Sequence, residues 1–130
     1  MNDSAPVTFG LNQIGQIAVP VADIERAVAF YRDVLGMRFL FLAPPGLGFF
    51  DLGGIRLMLD GPAKAKAGSS SVIYYKVLDI QSAFTTLSNR GVQFEAKPHL
   101  LAKMPDHDLW MAFFLDPDKN LIALMSEVIK

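Results

Sequence analysis

One unit is used twice along this chain. Val21-Ala22-Asp23-Ile24 opens a helical pattern that closes at Leu35-Gly36 and runs on as Met37-Arg38-Phe39. Val77-Leu78-Asp79-Ile80 opens another, which closes at Arg90-Gly91 and runs on as Val92-Gln93-Phe94. A near-constant offset over most of 130 residues marks a duplicated module, which cannot bury its apolar face alone and must pack on its copy.

Each copy spells the same order of elements. Gln13 to Val19 reads as a strand. Asp23 is a helix cap, since its carboxylate can accept a backbone N–H of the first turn. Ile24, Ala27, Val28, Tyr31 and Leu35 form the apolar stripe, and Gly36 ends the helix. Met37–Ala43, Leu47–Leu52 and Ile55–Asp60 read as strands, the last two joined by a tight Gly53-Gly54 turn. Residues 61–70, rich in small and polar side chains, read as a linker, and residues 1–12 as a loose arm. The second copy gives a strand from Ser71 to Val77 and a helix capped by Asp79 with Ile80, Ala83, Phe84 and Leu87 inward. Strands at Val92–Leu101 and Leu109–Leu115 flank a polar loop, and Leu121–Ser126 is last, after the turn Asp116-Pro117-Asp118-Lys119-Asn120. The prediction is an α+β fold of two βαβββ modules, at about 13–60 and 71–127, in one domain spanning 1–130.

Composition narrows the function. Hydrophobic residues are 52% and charged ones 19%, which suits a packed domain rather than a disordered chain. A net charge of -1 leaves no basic footprint for nucleic acid. Without cysteine there is no disulfide or thiolate metal site, and a reducing compartment is favoured. No apolar run approaches the roughly 18 residues of a membrane span, and the start lacks the pattern of a signal peptide. A cytoplasmic protein is the expectation.

The order and the wording of two segments resemble the vicinal oxygen chelate superfamily of glyoxalases, bleomycin-resistance proteins, extradiol dioxygenases and methylmalonyl-CoA epimerase. The segments are Asp23-Ile24-Glu25-Arg26-Ala27-Val28-Ala29-Phe30-Tyr31, running into Val34-Leu35-Gly36-Met37, and Phe113-Phe114-Leu115-Asp116-Pro117-Asp118 with Asn120. The family has Gly at the position of Lys119, and Asn120 is expected to take the unusual turn conformation instead. The resemblance implies a curved mixed sheet, a half-barrel with helices outside and a cavity inside, often completed across a dimer.

In metal-dependent relatives four inward side chains, usually His, Glu or Gln, hold one divalent ion. Counting from the motifs puts those places at Gln16, Arg56, Val72 and Ala123. Val72 and Ala123 have no donor atom, and Arg56 repels a cation. One amide cannot replace a converging ligand set. No metal and no other cofactor is expected, as in the bleomycin-resistance-like members.

Strand alternation groups Ile14, Gln16 and Ala18, then Arg56, Met58 and Asp60, then Val72, Tyr74 and Lys76, then Leu121, Ala123 and Met125. The candidate ligand-binding set is Gln16, Arg56, Met58, Val72, Tyr74, Trp110, Ala123 and Met125. It describes an apolar pocket with few polar handles, suited to a small, largely apolar and possibly anionic molecule. Arg56 would hold an anion, or it is simply exposed or pairs with Asp60 two residues on. Trp110 is a pocket lid or packs at a strand start. The alternative is a lyase, isomerase or dioxygenase with a displaced site around His99 and His107, since Asp106 and Asp108 bracket His107 and can tune its imidazole. A homodimer is expected, because open modules leave free strand edges and apolar surface.

Overall fold

The computed structural model describes residues 9–61 and 71–130, so the linker over 62–70 and the first eight residues of the arm lie outside the described residues. The first module runs β1 (Gln16–Pro20), α1 (Ile24–Ala29), β2 (Arg38–Ala43), β3 (Leu47–Asp51) and β4 (Arg56–Asp60). The second runs β5 (Ile73–Lys76), α2 (Ile80–Asn89), β6 (His99–Lys103), β7 (His107–Leu115) and β8 (Leu121–Ile129). Each makes an open four-stranded mixed sheet, in the order β1-β4-β3-β2 and β5-β8-β7-β6. The first strand of each module lies parallel to the last, and the remaining pairs are antiparallel.

Both helices start where their aspartates predict. Asp23 Oδ1 accepts from the N–H groups of Glu25 and Arg26, and Asp79 Oδ1 from that of Ser82. Gly36 and Gly91 close the helical segments at φ 76° and 97°, a conformation that a Cβ would strain. The first segment widens after Ala29 into a π-helical turn over Phe30–Val34, with Leu35 N–H bonded to Phe30 O. Gly53 and Gly54 both take positive φ, as a two-residue hairpin turn requires.

Three local expectations are corrected. Residues 92–101 are not one strand: Phe94 makes an isolated bridge to Phe114, and β6 begins at His99. The polar loop expected between Leu101 and Leu109 is shorter, because β6 and β7 pair as far as Lys103 and Asp108 and the chain turns at Met104–Asp106. At the third, Lys119 itself takes the left-handed conformation, φ 67°, and Asn120 does not. Asn120 is buried instead, with its Nδ2 donating to Pro20 O and Asp116 Oδ2.

The helix-side faces of both sheets share one core. Val19, Phe50, Leu57 and Leu59 of the first sheet join Ala112, Phe114, Ile122 and Leu124 of the second, with Val28 and Tyr31 between. Polar ties reinforce it. Tyr31 Oη donates to Asp116 Oδ2 at 2.7 Å, and Asp118 Oδ1 accepts from Ala22 N–H and Arg26 Nη2. At the other end Arg90 Nη1 donates to Val34 O. The Asp-Pro-Asp turn of the second module is thus the clamp on the first module's helix. Burial and the neighbouring Asp116 carboxylate push the Tyr31 phenol well above its usual range.

Candidate functional site

With one face of each sheet committed to the core, the other faces are left open, and the residues there fall into two groups. On the first sheet Gln16 is opposite Arg56, and Ala18, Met58, Phe49 and Phe41 follow across the four strands. The Arg56 guanidinium sits 5.7 Å from the centroid of Phe49, whose ring lies 5.0 Å from that of Phe41. This is a cation–π contact on an apolar wall. Of the other places expected for Arg56, exposure holds, and no ion pair joins it to Asp60 among the described residues. Gln16 Nε2 lies 3.7 Å from Met58 Sδ.

On the second sheet Tyr74, Ala123 and Phe113 are directly opposite one another, and Lys76, Met125, Met111 and His99 form the next row. Tyr74 meets Phe113 edge to face at 6.3 Å, and His99 stacks on Phe113 at 6.2 Å. Ala123 is fully buried under this aromatic row, a small floor between two rings. Tyr74 is 48% exposed and Phe41 46%, unusual for aromatic side chains on paired strands, and both lie on open faces. Among the described residues no ring contact, hydrogen bond or ion pair joins the side chains of one open face to those of the other.

The structure therefore brings together Gln16, Arg56 and Met58 on one wall, and Tyr74, Ala123, Met125 and His99 on the other. Val72 lies one residue before β5 and takes part in no strand pair. Trp110 is not with them: it is opposite Ser126, packs against the core and lines a helix-side hollow with Leu78 and Ile80. The parity of β7 decides this, since Trp110, Ala112 and Phe114 share the core face while Met111 and Phe113 face out.

The two histidines stand apart. His99 pairs with Met111, four residues beyond His107, which places them about 13 Å apart along the strand. His107 Nδ1 contacts Asp106 Oδ1 at 2.8 Å, and that hydrogen bond holds the Asp106 carboxyl below its usual range. Asp106 belongs to the hairpin turn and not to the aromatic wall.

The four places inferred by counting also acquire a geometry. Val21 N–H bonds to Asp60 O, and in the second module Val77 N–H bonds to Met125 O, so Asp60 and Met125 are counterparts. Stepping back along β4 and β8 makes Met58, not Arg56, the counterpart of Ala123, and pairs Arg56 with Leu121. Neither assignment gives a ligand set, because a thioether and a methyl group replace a cation and a methyl group. Among the described residues no three His, Asp or Glu side chains gather in a cluster that could hold a metal. The residues present do not fit the family's divalent ion.

Sequence reasoning missed Phe41, Phe49 and Phe113 as wall residues. Phe113 lies in a motif that serves the fold, and the bulge between Phe39 and Phe41 shifts the parity of β2.

This architecture has many relatives. The family profile of the Glyoxalase/Bleomycin resistance protein/Dioxygenase superfamily matches residues 13–124. The chain belongs to that superfamily. Among curated proteins it is 29% identical over 126 residues to Uncharacterized protein YraH of Bacillus subtilis (strain 168), covering 84% of this chain and 94% of YraH. It is 32% identical over 107 residues to the mitochondrial methylmalonyl-CoA epimerase of Mus musculus, covering 70% of this chain but only 60% of the epimerase. Among solved structures, lactoylglutathione lyase from Agrobacterium tumefaciens superposes with a TM-score of 0.75 at 21% identity, covering 90% of this chain and 95% of the lyase. TnmS3, an antibiotic-binding protein from Streptomyces sp. CB03234, superposes with a TM-score of 0.74 at 23% identity, covering 92% and 99%. At these identities the two structures establish the superfamily fold, and the chemistry has to come from this chain's own walls. Among the described residues no helix is long and apolar enough to cross a membrane.

Proposed function

We propose that this superfamily member is a metal-free small-molecule binder. It takes a planar, largely apolar and anionic molecule between an Arg56–Phe49–Phe41 wall and a Tyr74–Phe113–His99 wall. The observation that carries the reading is the pair of open faces, each with an aromatic row and, on one of them, a guanidinium with no ion-pair partner among the described residues. Flat rings stack on aromatic walls, and Arg56 supplies paired N–H donors for a carboxylate. Val72, Ala123 and Met58 at or beside the family ligand places support the absence of a metal. The antibiotic-binding neighbour is a precedent for a binder on this fold.

Each wall alone is half a cavity. The helix-side faces of both sheets are taken by one core, which favours closure of each wall by a second copy of the chain. A cytoplasmic homodimer with two cavities, each built from β1–β4 of one protomer and β5–β8 of the other, is the assembly that fits. The enzyme reading around His99 and His107 has less support, because the hairpin holds the two rings far apart.

The test is a titration series with benzoate, 2-naphthoate and 9-anthracenecarboxylate, followed by calorimetry, with 2-naphthyl methanol as the uncharged control. Affinity should rise with ring area. Arg56→Gln should weaken the acids about tenfold, equivalent to about 1.4 kcal/mol, and leave the alcohol unchanged. Equal loss for acid and alcohol, or no saturable binding by any of them, contradicts the reading.

A further inference from the structure

A second cavity lies on the other side of the second sheet, between the modules. Its volume is about 320 Å³. Leu35, Met37 and Leu52 of the first module face Leu87, Phe114 and Leu124 of the second across it. This is not the open-face site: Phe114 and Leu124 alternate with Phe113 and Ala123 and point to the opposite side. The lining is apolar except for Tyr75, Thr86 and the cation Arg90. Arg90 follows the end of α2 and is exposed, and among the described residues only its Nη1 is engaged, on Val34 O. Tyr75 adds a phenol to the wall. Its hydroxyl has no hydrogen-bond partner among the described residues, and burial, with the Asp116 charge second, pushes it up to about 12.

We infer that this inter-module cavity is a binding site for a small amphipathic carboxylate, its apolar body between Met37 and Phe114 and its carboxylate on Arg90. A half-open apolar hollow with one cation in its lining has the composition of a ligand site, and no carboxylate of the protein occupies the remaining guanidinium donors among the described residues. At about 30 Å³ per non-hydrogen atom the space holds on the order of ten such atoms, the size of a medium-chain fatty acid or a small aryl acid. Because the walls come from both modules, occupancy bridges them.

Octanoate is the probe, read by the methionine methyl resonances of the whole protein. Met37 lines this cavity, whereas Met58 and Met125 lie on the open faces, so each site reports separately. The Met37 methyl should shift saturably with octanoate. Ala83→Leu, which fills the cavity, should abolish that shift while the Met58 and Met125 signals stay at their native positions. Arg90→Gln should raise the apparent Kd for octanoate about tenfold and leave that for octanol unchanged. The inference is overturned if Met37 does not move at millimolar octanoate. It is also overturned if Met37 moves only on the same curve as Met58 and Met125, with all three lost in Arg56→Gln. Persistence of the full Met37 shift in both Ala83→Leu and Arg90→Gln is equally fatal.

Discussion

Removing the Tyr31 hydroxyl is the sharpest perturbation of the joint between the modules. The phenol of the first module's helical segment donates to the Asp116 carboxylate of the second module's turn at 2.7 Å, and both groups are buried. In Tyr31→Phe the ring keeps its contacts with Phe30 at 5.6 Å and Phe50 at 6.1 Å, so no cavity opens. What is lost is one hydrogen bond to a charged group, about 1.5–3 kcal/mol. Asp116 Oδ2 keeps its bond from Asn120 Nδ2, and Oδ1 keeps those from the N–H groups of Asp118 and Asn120. The carboxylate is therefore not orphaned, and the expected loss is near the middle of that range, about 2 kcal/mol. In urea, with a slope of about 1.5 kcal/mol/M, the midpoint should fall by about 1.3 M with the slope unchanged. Protein concentration must be held fixed, since an assembling chain shifts its midpoint by mass action. Tyr75→Phe is the matched control, a largely buried tyrosine without a hydroxyl partner among the described residues, and should change stability by less than about 0.5 kcal/mol. A loss for Tyr31→Phe no larger than for Tyr75→Phe would refute the claim that this bond ties the modules.

Two further outcomes follow from the same region. Lys119→Gly should stabilise the protein by about 1 kcal/mol, because the left-handed conformation at φ 67° costs a non-glycine residue about that much; an unchanged or lowered urea midpoint would show the turn to be unstrained. Tyr31 and Tyr75 both have folded-state values above the ordinary tyrosine value near 10. Their neutral forms are favoured by folding, so that stability is fully present below pH 10 and is lost as pH rises further. Each contributes a decline of about 1.4 kcal/mol per pH unit, that of Tyr75 ending near pH 12, and Tyr31→Phe should flatten the alkaline limb of a stability–pH curve.

Local chemistry was legible wherever one residue decides the conformation. Asp23 and Asp79 cap their helices, and Gly36, Gly53, Gly54 and Gly91 turn the chain, because each acts through its own backbone. Alternation correctly grouped Arg56 with Met58 and Tyr74 with Lys76. It failed where tertiary pairing resets parity or extends a strand. The β6–β7 hairpin absorbed residues of polar composition because cross-strand partners were available. Of the two places expected for Trp110, packing against the core is the one it takes. The role of Asp116 was hidden for a different reason. Its partners Tyr31 and Asn120 are far from it or beyond a turn, and a sequence shows an Asp-Pro turn without showing what the carboxylate receives. The π-helical turn likewise leaves the apolar stripe of the first helix intact, so periodicity does not reveal it.

The central claim is that each binding cavity takes one wall from each of two chains, and mixing two blocked variants tests it most directly. Ala18→Trp covers the first open face, and Tyr74→Glu places a carboxylate where the ligand's ring would lie on the second. Each homodimer should fail to bind the tightest aromatic carboxylate of the titration series. If walls are shared between protomers, unfolding and refolding the two variants together creates mixed dimers with one cavity made only of unblocked walls. Calorimetry should then recover about a quarter of the wild-type sites. Sedimentation should give a species of roughly twice the 14.3 kDa chain. No recovered binding from a mixture that sediments as a dimer, or tight binding by a 14.3 kDa monomer of the unaltered chain, would contradict the account.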